Sequence, residues 1–181
     1  MPVRIIATLA TVIFAAALPA LAALTVGQKA PDFNLQASLG GKVYPFSLAE
    51  ALKKGPVVLY FYPAAFTTGC TIEAHDFADA IPEYQKLGAT VIGVSHDDIE
   101  TLKKFSVSEC RSKFAVAGDT DGSVIKAYDV VMPTHPQYAN RTSFVIAPNG
   151  TIIYTYTNLH PDQHVANTLA ALKAWKQSST R

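Results

Sequence analysis

Apolar residues form two kinds of pattern along this chain: continuous runs, and a stretch in which they recur every three or four positions. Two continuous apolar runs, PVVLYFY at 56–62 and ATVIGVS at 89–95, are typical of strands buried on both faces of a sheet. Between them, over 71–87, apolar residues return every three or four positions, which predicts an amphipathic helix. Pro82 interrupts that helix, so we expect a kink or an end close to it.

The second half of the chain predicts further alternating elements. Asp97 or Asp98 caps the helix that follows the second apolar run, and Pro161 begins the last helix. The strands RTSFVIA and TIIYTYT are joined by a hairpin turn at 148–150, and another hairpin precedes the first run near 32–46. A short strand, KFAVAGD, and a short helix, DGSVIKAYDV, lie in between.

The order of these elements predicts an α/β domain with a thioredoxin-like fold. Its central mixed sheet is flanked by helices and preceded by the short N-terminal hairpin. Right-handed crossovers place the first two buried strands parallel and adjacent, and the final hairpin adds antiparallel strands. Sites in open α/β sheets form beyond the carboxyl ends of strands. Cys70 lies in such a place, after the first apolar run.

The first 22 residues have the layout of a secretory signal peptide. A single cation, Arg4, precedes a long apolar run, Pro19 breaks that run, and Ala20 and Ala22 form a small-residue cleavage site. We therefore divide the chain into a signal peptide at 1–22 and a domain at 23–181, and expect export to the periplasm. The apolar run is almost long enough to span a membrane, so a retained anchor is the alternative.

The balance of charge narrows the classes of partner. The chain has 15 Lys and Arg residues against 14 Asp and Glu residues, and Arg4 is the one charged residue of the predicted signal peptide. The mature domain is therefore close to neutral. This excludes the basic surface of a nucleic-acid binder and the polybasic patch of a membrane-surface protein. A small uncharged substrate fits better.

Cys70 and Cys110 are the two cysteines of the chain. After export, such a pair ordinarily forms a structural disulfide. Cys70, however, begins a predicted helix, and helix N-termini and nearby cations stabilise the reactive thiolate. In one arrangement Cys70 caps the helix with Glu73 at the capping-box position. In the other a preceding threonine caps it and Cys70 lies in the first turn; in either case the Glu73 charge opposes a thiolate.

Thr67 occupies the position where the thioredoxin class carries the first cysteine of Cys-x-x-Cys. A dithiol cycle within the motif is therefore impossible, and an exported thioredoxin-type thiol-disulfide oxidoreductase becomes the less favoured alternative. The stretch FYPAAFTTGCTIEAHDF resembles the peroxiredoxin signature, and TGCTIEA is similar to the peroxiredoxin Q, or bacterioferritin-comigratory, group. GQKAPDFNL, GATVIGVS, DTDGSVIKAYDV and RTSFVIAPNG extend the resemblance over most of the mature chain.

The resemblance implies a monomeric thiol-dependent peroxidase that reduces hydrogen peroxide and organic hydroperoxides. It implies no metal, haem or flavin, and a thioredoxin-like protein as reductant. Cys70 would be the peroxidatic cysteine that becomes a sulfenic acid, and Thr67 would orient the peroxide. Pro63 would shield the thiolate from water, and Arg141 would stabilise both the thiolate and the charge that develops on the peroxide oxygens.

The resolving cysteine is the point where this chain departs from many peroxiredoxins Q. They carry a second cysteine five residues after the first, where this chain has His75. Cys110 remains as the resolving candidate, and it would form an intramolecular disulfide with Cys70. A one-cysteine enzyme that uses an external thiol and a purely structural disulfide are the alternatives. His160 and His164 have a spacing that could bind a metal, but we expect both to be solvent-exposed.

Overall fold

A computed structural model describes residues 23–179, so the predicted signal peptide at 1–22 lies outside the described residues. Within that range no helix is both long enough and apolar enough to span a bilayer. The described residues form seven strands and five helices in this order: β1 Asn34–Leu39, β2 Lys42–Ser47, α1 Leu48–Leu52, β3 Val57–Phe61, α2 Thr68–Lys86, β4 Thr90–Ser95, α3 Ile99–Ser108, β5 Ala115–Gly118, α4 Ser123–Ala127, β6 Thr142–Ile146, β7 Ile152–Thr157 and α5 His164–Ser179.

The strands form one mixed sheet in the order β2-β1-β5-β4-β3-β6-β7. Strands β3 and β4 are parallel and adjacent, as predicted, and β5 continues the parallel part. The β6–β7 hairpin pairs with the other side of β3 in antiparallel direction. The N-terminal hairpin, β1 and β2, joins the sheet antiparallel to β5. The predicted mixed sheet and N-terminal hairpin are confirmed, whereas the short helix α1 was not predicted.

Strand β3 supplies core residues to both faces of the sheet because all of its residues are buried. Successive side chains of a strand point to opposite faces. Val57 and Leu59 therefore belong to one core cluster, and Val58 and Tyr60 belong to the other. The second cluster also contains Cys70 and Cys110, so the two cysteines share one side of the sheet.

One predicted helix bound is wrong, and one alternative for another helix is excluded. Helix α2 continues through Pro82 to Lys86, close to the predicted end at 87, so the proline does not end it. The proline lies on the exposed side of α2, while the buried residues Phe77 and Tyr84 hold the helix against the core before and after it. Helix α5 begins at His164 rather than at Pro161, because residues 161–164 form a separate turn closed by the His164 N–H and the Pro161 carbonyl at 3.2 Å.

Candidate active site

Cys70 lies in the first turn of α2, just beyond the carboxyl end of β3, and is 1% exposed. Thr67 is the N-cap residue by its extended backbone, although its side chain makes no capping hydrogen bond to the described residues. The second of the two predicted arrangements is therefore the observed one. The positive end of the α2 dipole favours negative charge at this turn, and the unpaired N–H groups there can bind an anion.

Arg141, at the start of β6, places its guanidinium against the Cys70 sulfur. The side chain is buried, and its Nη2 atom lies 3.4 Å from Cys70 Sγ. The Arg141 Nε–H donates to the Leu159 carbonyl at 2.9 Å, which fixes the plane of the guanidinium. A permanent positive charge at this distance, shielded from water, favours thiolate over thiol. Gly69 leaves room for it, since a Cβ atom there would lie 3.1 Å from Nη2.

Glu73 binds the other edge of the Arg141 guanidinium. It is completely buried, and its Oε2 atom accepts a hydrogen bond from Arg141 Nη1. Because Glu73 comes three residues after Cys70 on α2, both side chains lie on the same helix face. Burial raises the pKa of the Glu73 carboxyl group to about 8, and the Arg141 charge only partly opposes that shift. This shift favours the neutral form of Glu73 and so weakens the opposing charge that the sequence led us to expect.

His164 corrects another expectation, because it is completely buried and not solvent-exposed. Its Nε2 atom lies 2.9 Å from the Asn158 carbonyl oxygen, and its Nδ1 atom lies 2.8 Å from Ser143 Oγ. A carbonyl can only accept, so Nε2 carries the proton and the Ser143 hydroxyl donates to Nδ1. His164 Nδ1 is also 3.6 Å from Glu73 Oε1.

The His164 imidazole is neutral at physiological pH. Burial, aided by the nearby Arg141 charge, lowers its pKa to about 4. His160 is exposed, as predicted. Among residues 23–179 no three His, Cys, Asp or Glu side chains come close enough together to hold a metal ion. His164 therefore belongs to the polar cluster behind Arg141.

The loop between β3 and α2 carries the remaining predicted residues. Pro63 is half-buried near the end of β3, and the exposed Thr67 donates its hydroxyl to the Ala64 carbonyl at 3.0 Å. The loop is tied to the end of β4 because Asp97 Oδ2 accepts from the Ala65 N–H at 2.7 Å. Sequence patterns had suggested only helix capping for Asp97. Four predicted residues, Pro63, Thr67, Cys70 and Arg141, thus converge at one edge of the sheet.

Comparison with known proteins agrees with this geometry. The model of the AhpC/TSA family matches residues 26–155. The chain is 36% identical over 154 residues to the peroxiredoxin bcp of Helicobacter pylori, which covers 82% of this chain and 98% of that relative. This chain belongs to the peroxiredoxins. It is also 36% identical over 149 residues to the chloroplastic peroxiredoxin Q of Oryza sativa subsp. japonica, but spans 66% of that protein's length and 82% of its own.

Solved structures show the same relationship for this peroxiredoxin. The peroxidoxin BcpB of Mycobacterium tuberculosis is 32% identical with a TM-score of 0.75, over 82% of this chain and 96% of that one. PrxQ of Xylella fastidiosa is 26% identical with a TM-score of 0.76, over 86% and 99%. The predicted family, the thioredoxin-like fold and the enzyme class, a thiol-dependent peroxidase, are confirmed.

Cys110, the second cysteine of this peroxiredoxin, lies two residues beyond the end of α3. It is completely buried, and no disulfide joins it to Cys70 in the described part of the chain. Its N–H donates to the Phe105 carbonyl at 3.0 Å. Burial is the main cause of a raised pKa of the Cys110 thiol, and the neighbouring Glu109 carboxylate raises it further. In this position Cys110 is protonated and a poor nucleophile.

Proposed function

We propose that this peroxiredoxin reduces hydrogen peroxide and organic hydroperoxides with Cys70 as its peroxidatic cysteine. The observation that carries this proposal is the buried Arg141 guanidinium, 3.4 Å from Cys70 Sγ. The thiolate attacks the terminal peroxide oxygen, and the O–O bond breaks. The sulfur becomes a sulfenic acid, while the second oxygen takes up a proton and leaves as water or alcohol. Arg141 stabilises the negative charge that develops on these oxygens.

Thr67 and Pro63 act on the peroxide and on its access. The Thr67 hydroxyl hydrogen is engaged by the Ala64 carbonyl, so the Thr67 oxygen offers lone pairs to the O–H of a bound hydroperoxide. Thr67 comes one helical turn before Cys70, which suits a peroxide placed in line with the sulfur. Pro63 offers no N–H to water and covers the approach to the thiolate.

Cys110 resolves the sulfenic acid in this proposal. Its sulfur attacks the Cys70 sulfur, the S–O bond breaks, and the oxygen leaves as water with the Cys110 proton. A thioredoxin-like dithiol protein then reduces the resulting disulfide. Support comes from the burial of both cysteines in one core cluster and from the absence of a cysteine at His75. In the alternative one-cysteine cycle, an external thiol attacks Cys70 directly.

Two variants and one mass measurement test these roles. Cys70→Ser is expected to abolish peroxide reduction, and full activity in that variant would refute the mechanism. After one equivalent of peroxide, the wild-type mass is expected to fall by the hydrogens of both thiols, because a disulfide forms. Cys110→Ser is expected to gain one oxygen and to stop after a single turnover. If Cys110→Ser recycles with a thioredoxin-like donor at the wild-type rate, the one-cysteine cycle replaces resolution by Cys110.

We also propose that residues 1–22 direct export to the periplasm and are removed, and that the mature protein is a monomer without membrane attachment. The support is the arrangement of Arg4, the apolar run and the small residues before Ala23, and for the monomer the similarity to peroxiredoxin Q. The mass of the protein recovered from bacterial periplasm tests cleavage, and sedimentation tests assembly. An intact N-terminus in the membrane fraction would contradict removal of residues 1–22, and a stable dimer would contradict the monomer.

A further inference from the structure

Two polar side-chain contacts, one of them an Arg–Asp ion pair, attach the segment around Cys110 to helix α2. On one side of Cys110, Glu109 Oε2 lies 2.9 Å from His75 Nε2. On the other side, Arg111 Nη1 lies 2.5 Å from Asp79 Oδ1. His75 and Asp79 are one helical turn apart, so they present one face of α2 to this segment. We call these four side chains, His75, Asp79, Glu109 and Arg111, the α2 latch.

The backbone that follows Cys110 is strained. Arg111 has a φ of 50° and Ser112 a φ of 56°, so two consecutive residues other than glycine have left-handed backbone. The bend is closed by the Ser112 N–H on the Ser106 carbonyl and by the Lys113 N–H on the Cys110 carbonyl, both at 2.9 Å. Because left-handed backbone is unfavourable for these residues, the bend favours opening, and the two flanking contacts oppose it.

Movement of this segment would expose the Cys110 thiol. In place, Cys110 is completely buried and burial raises its pKa, so it is a poor nucleophile. We expect its attack on Cys70 to follow exposure of the segment. The residues on both sides of Cys110 are tied to α2, so the segment is held in place while both contacts persist.

We propose that the α2 latch holds Cys110 in its buried position and thereby limits the rate at which it resolves the Cys70 sulfenic acid. This inference rests on the proposed resolving role of Cys110. The four latch side chains are positioning residues, because both contacts join one latch residue to another and neither reaches the reacting sulfur. A slower resolution lengthens the life of the sulfenic acid, the form that a second peroxide can oxidise further.

The test removes the α2 half of the latch and leaves the Cys110 segment unchanged. The latch variant is His75→Ala with Asp79→Ala. Its matched control is Glu83→Ala with Gln85→Ala, two exposed positions of the same helix that also lose one carboxylate and one uncharged polar side chain. Alanine preserves helix propensity in both. Arg111→Gln serves as a second latch variant that keeps α2 intact.

The first readout is the rate at which iodoacetamide alkylates Cys110 in a Cys70→Ser background. Removing these two partly exposed contacts is expected to raise that rate by about 3- to 10-fold. Loss of His75 leaves the Glu109 carboxylate next to the thiol without that partner, which works against alkylation, so a rise reports release of the segment. The control variant is expected to match the Cys70→Ser parent.

The second readout is the conversion of sulfenic acid to disulfide, measured by acid quench and mass spectrometry after one equivalent of peroxide. We expect the latch variant to convert about 3- to 10-fold faster, with an unchanged rate of Cys70 oxidation. Conversion at the wild-type rate, or more slowly, overturns the latch. If the wild type forms no Cys70–Cys110 disulfide, the resolving role itself fails and the inference falls with it. If the wild type forms that disulfide but the latch variant does not change its rate of formation, the latch alone is refuted.

Discussion

The buried carboxyl group of Glu73 predicts that the folded protein loses stability as the pH rises through neutrality. Burial raises its pKa from 4.5 to about 8. In the unfolded chain Glu73 loses its proton near 4.5, so between these two values the folded state binds one more proton than the unfolded state. The free energy of unfolding therefore falls as the pH rises across this interval.

His164 contributes the opposite dependence over a lower pH range. Burial lowers its pKa from 6.5 to about 4, so between those values the unfolded state binds the additional proton. The free energy of unfolding then rises with pH, which offsets the effect of Glu73 up to pH 6.5. From there to pH 8 the Glu73 effect is no longer opposed by His164. At about 1.4 kcal/mol per pH unit, Glu73 lowers stability by about 2 kcal/mol over this range.

The variant Glu73→Gln keeps the size of the side chain and removes its titration. We expect the wild type to lose about 2 kcal/mol more than Glu73→Gln between pH 6.5 and pH 8, measured by urea unfolding of the reduced proteins. Glu83→Gln, an exposed position of the same helix, is expected to follow the wild type. If the wild type and Glu73→Gln show the same pH dependence, Glu73 does not hold a proton in the folded protein, and the reasoning is refuted.

Three further substitutions test the packing of the site. Gly69→Ala places a Cβ atom 3.1 Å from Arg141 Nη2, so kcat/KM for hydrogen peroxide is expected to fall at least about 10-fold; unchanged kinetics would contradict a close fit. Arg141→Lys keeps the charge but loses the planar, two-pronged guanidinium, so kcat/KM for hydrogen peroxide is expected to fall about 100-fold. A wild-type value would mean that charge alone suffices. Gly93→Ala brings a Cβ within 2.7 Å of the Tyr60 ring, so the free energy of unfolding is expected to fall by about 1–3 kcal/mol. Thermal unfolding measures this loss, and an unchanged unfolding midpoint would contradict it.

The parts of the fold that sequence predicted are those that local patterns determine. The apolar run of β3 and the periodicity of α2 placed Cys70 at a strand-to-helix turn, which the structure confirms. The effect of Pro82 on α2 was not predictable in this way. Pro82 removes one backbone donor, but Phe77 and Tyr84 pack into the core on either side of it, and that tertiary packing outweighs the local preference.

The hydrophobic pattern of the sequence could not predict contacts between distant parts of the chain. Glu73 offered one signal, because its spacing from Cys70 puts both on one helix face. His164 offered none, since its partners Ser143 and Asn158 lie in a strand and a turn that meet α5 only in the folded protein. Its burial depends on their hydrogen bonds, without which a histidine early in a helix is more stable in water.

The raised pKa of Glu73 also bears on the chemistry of Cys70. An ionised Glu73 would orient Arg141 but would cancel much of its charge at the sulfur. A protonated Glu73 still accepts the hydrogen bond from Arg141 Nη1 through Oε2, so the guanidinium keeps its direction and its full charge. Glu73 Oε1, which has no hydrogen-bond partner among the described residues, is the atom left to carry the proton. Burial of this carboxyl group therefore costs stability above pH 6.5 and preserves the positive charge that favours the thiolate.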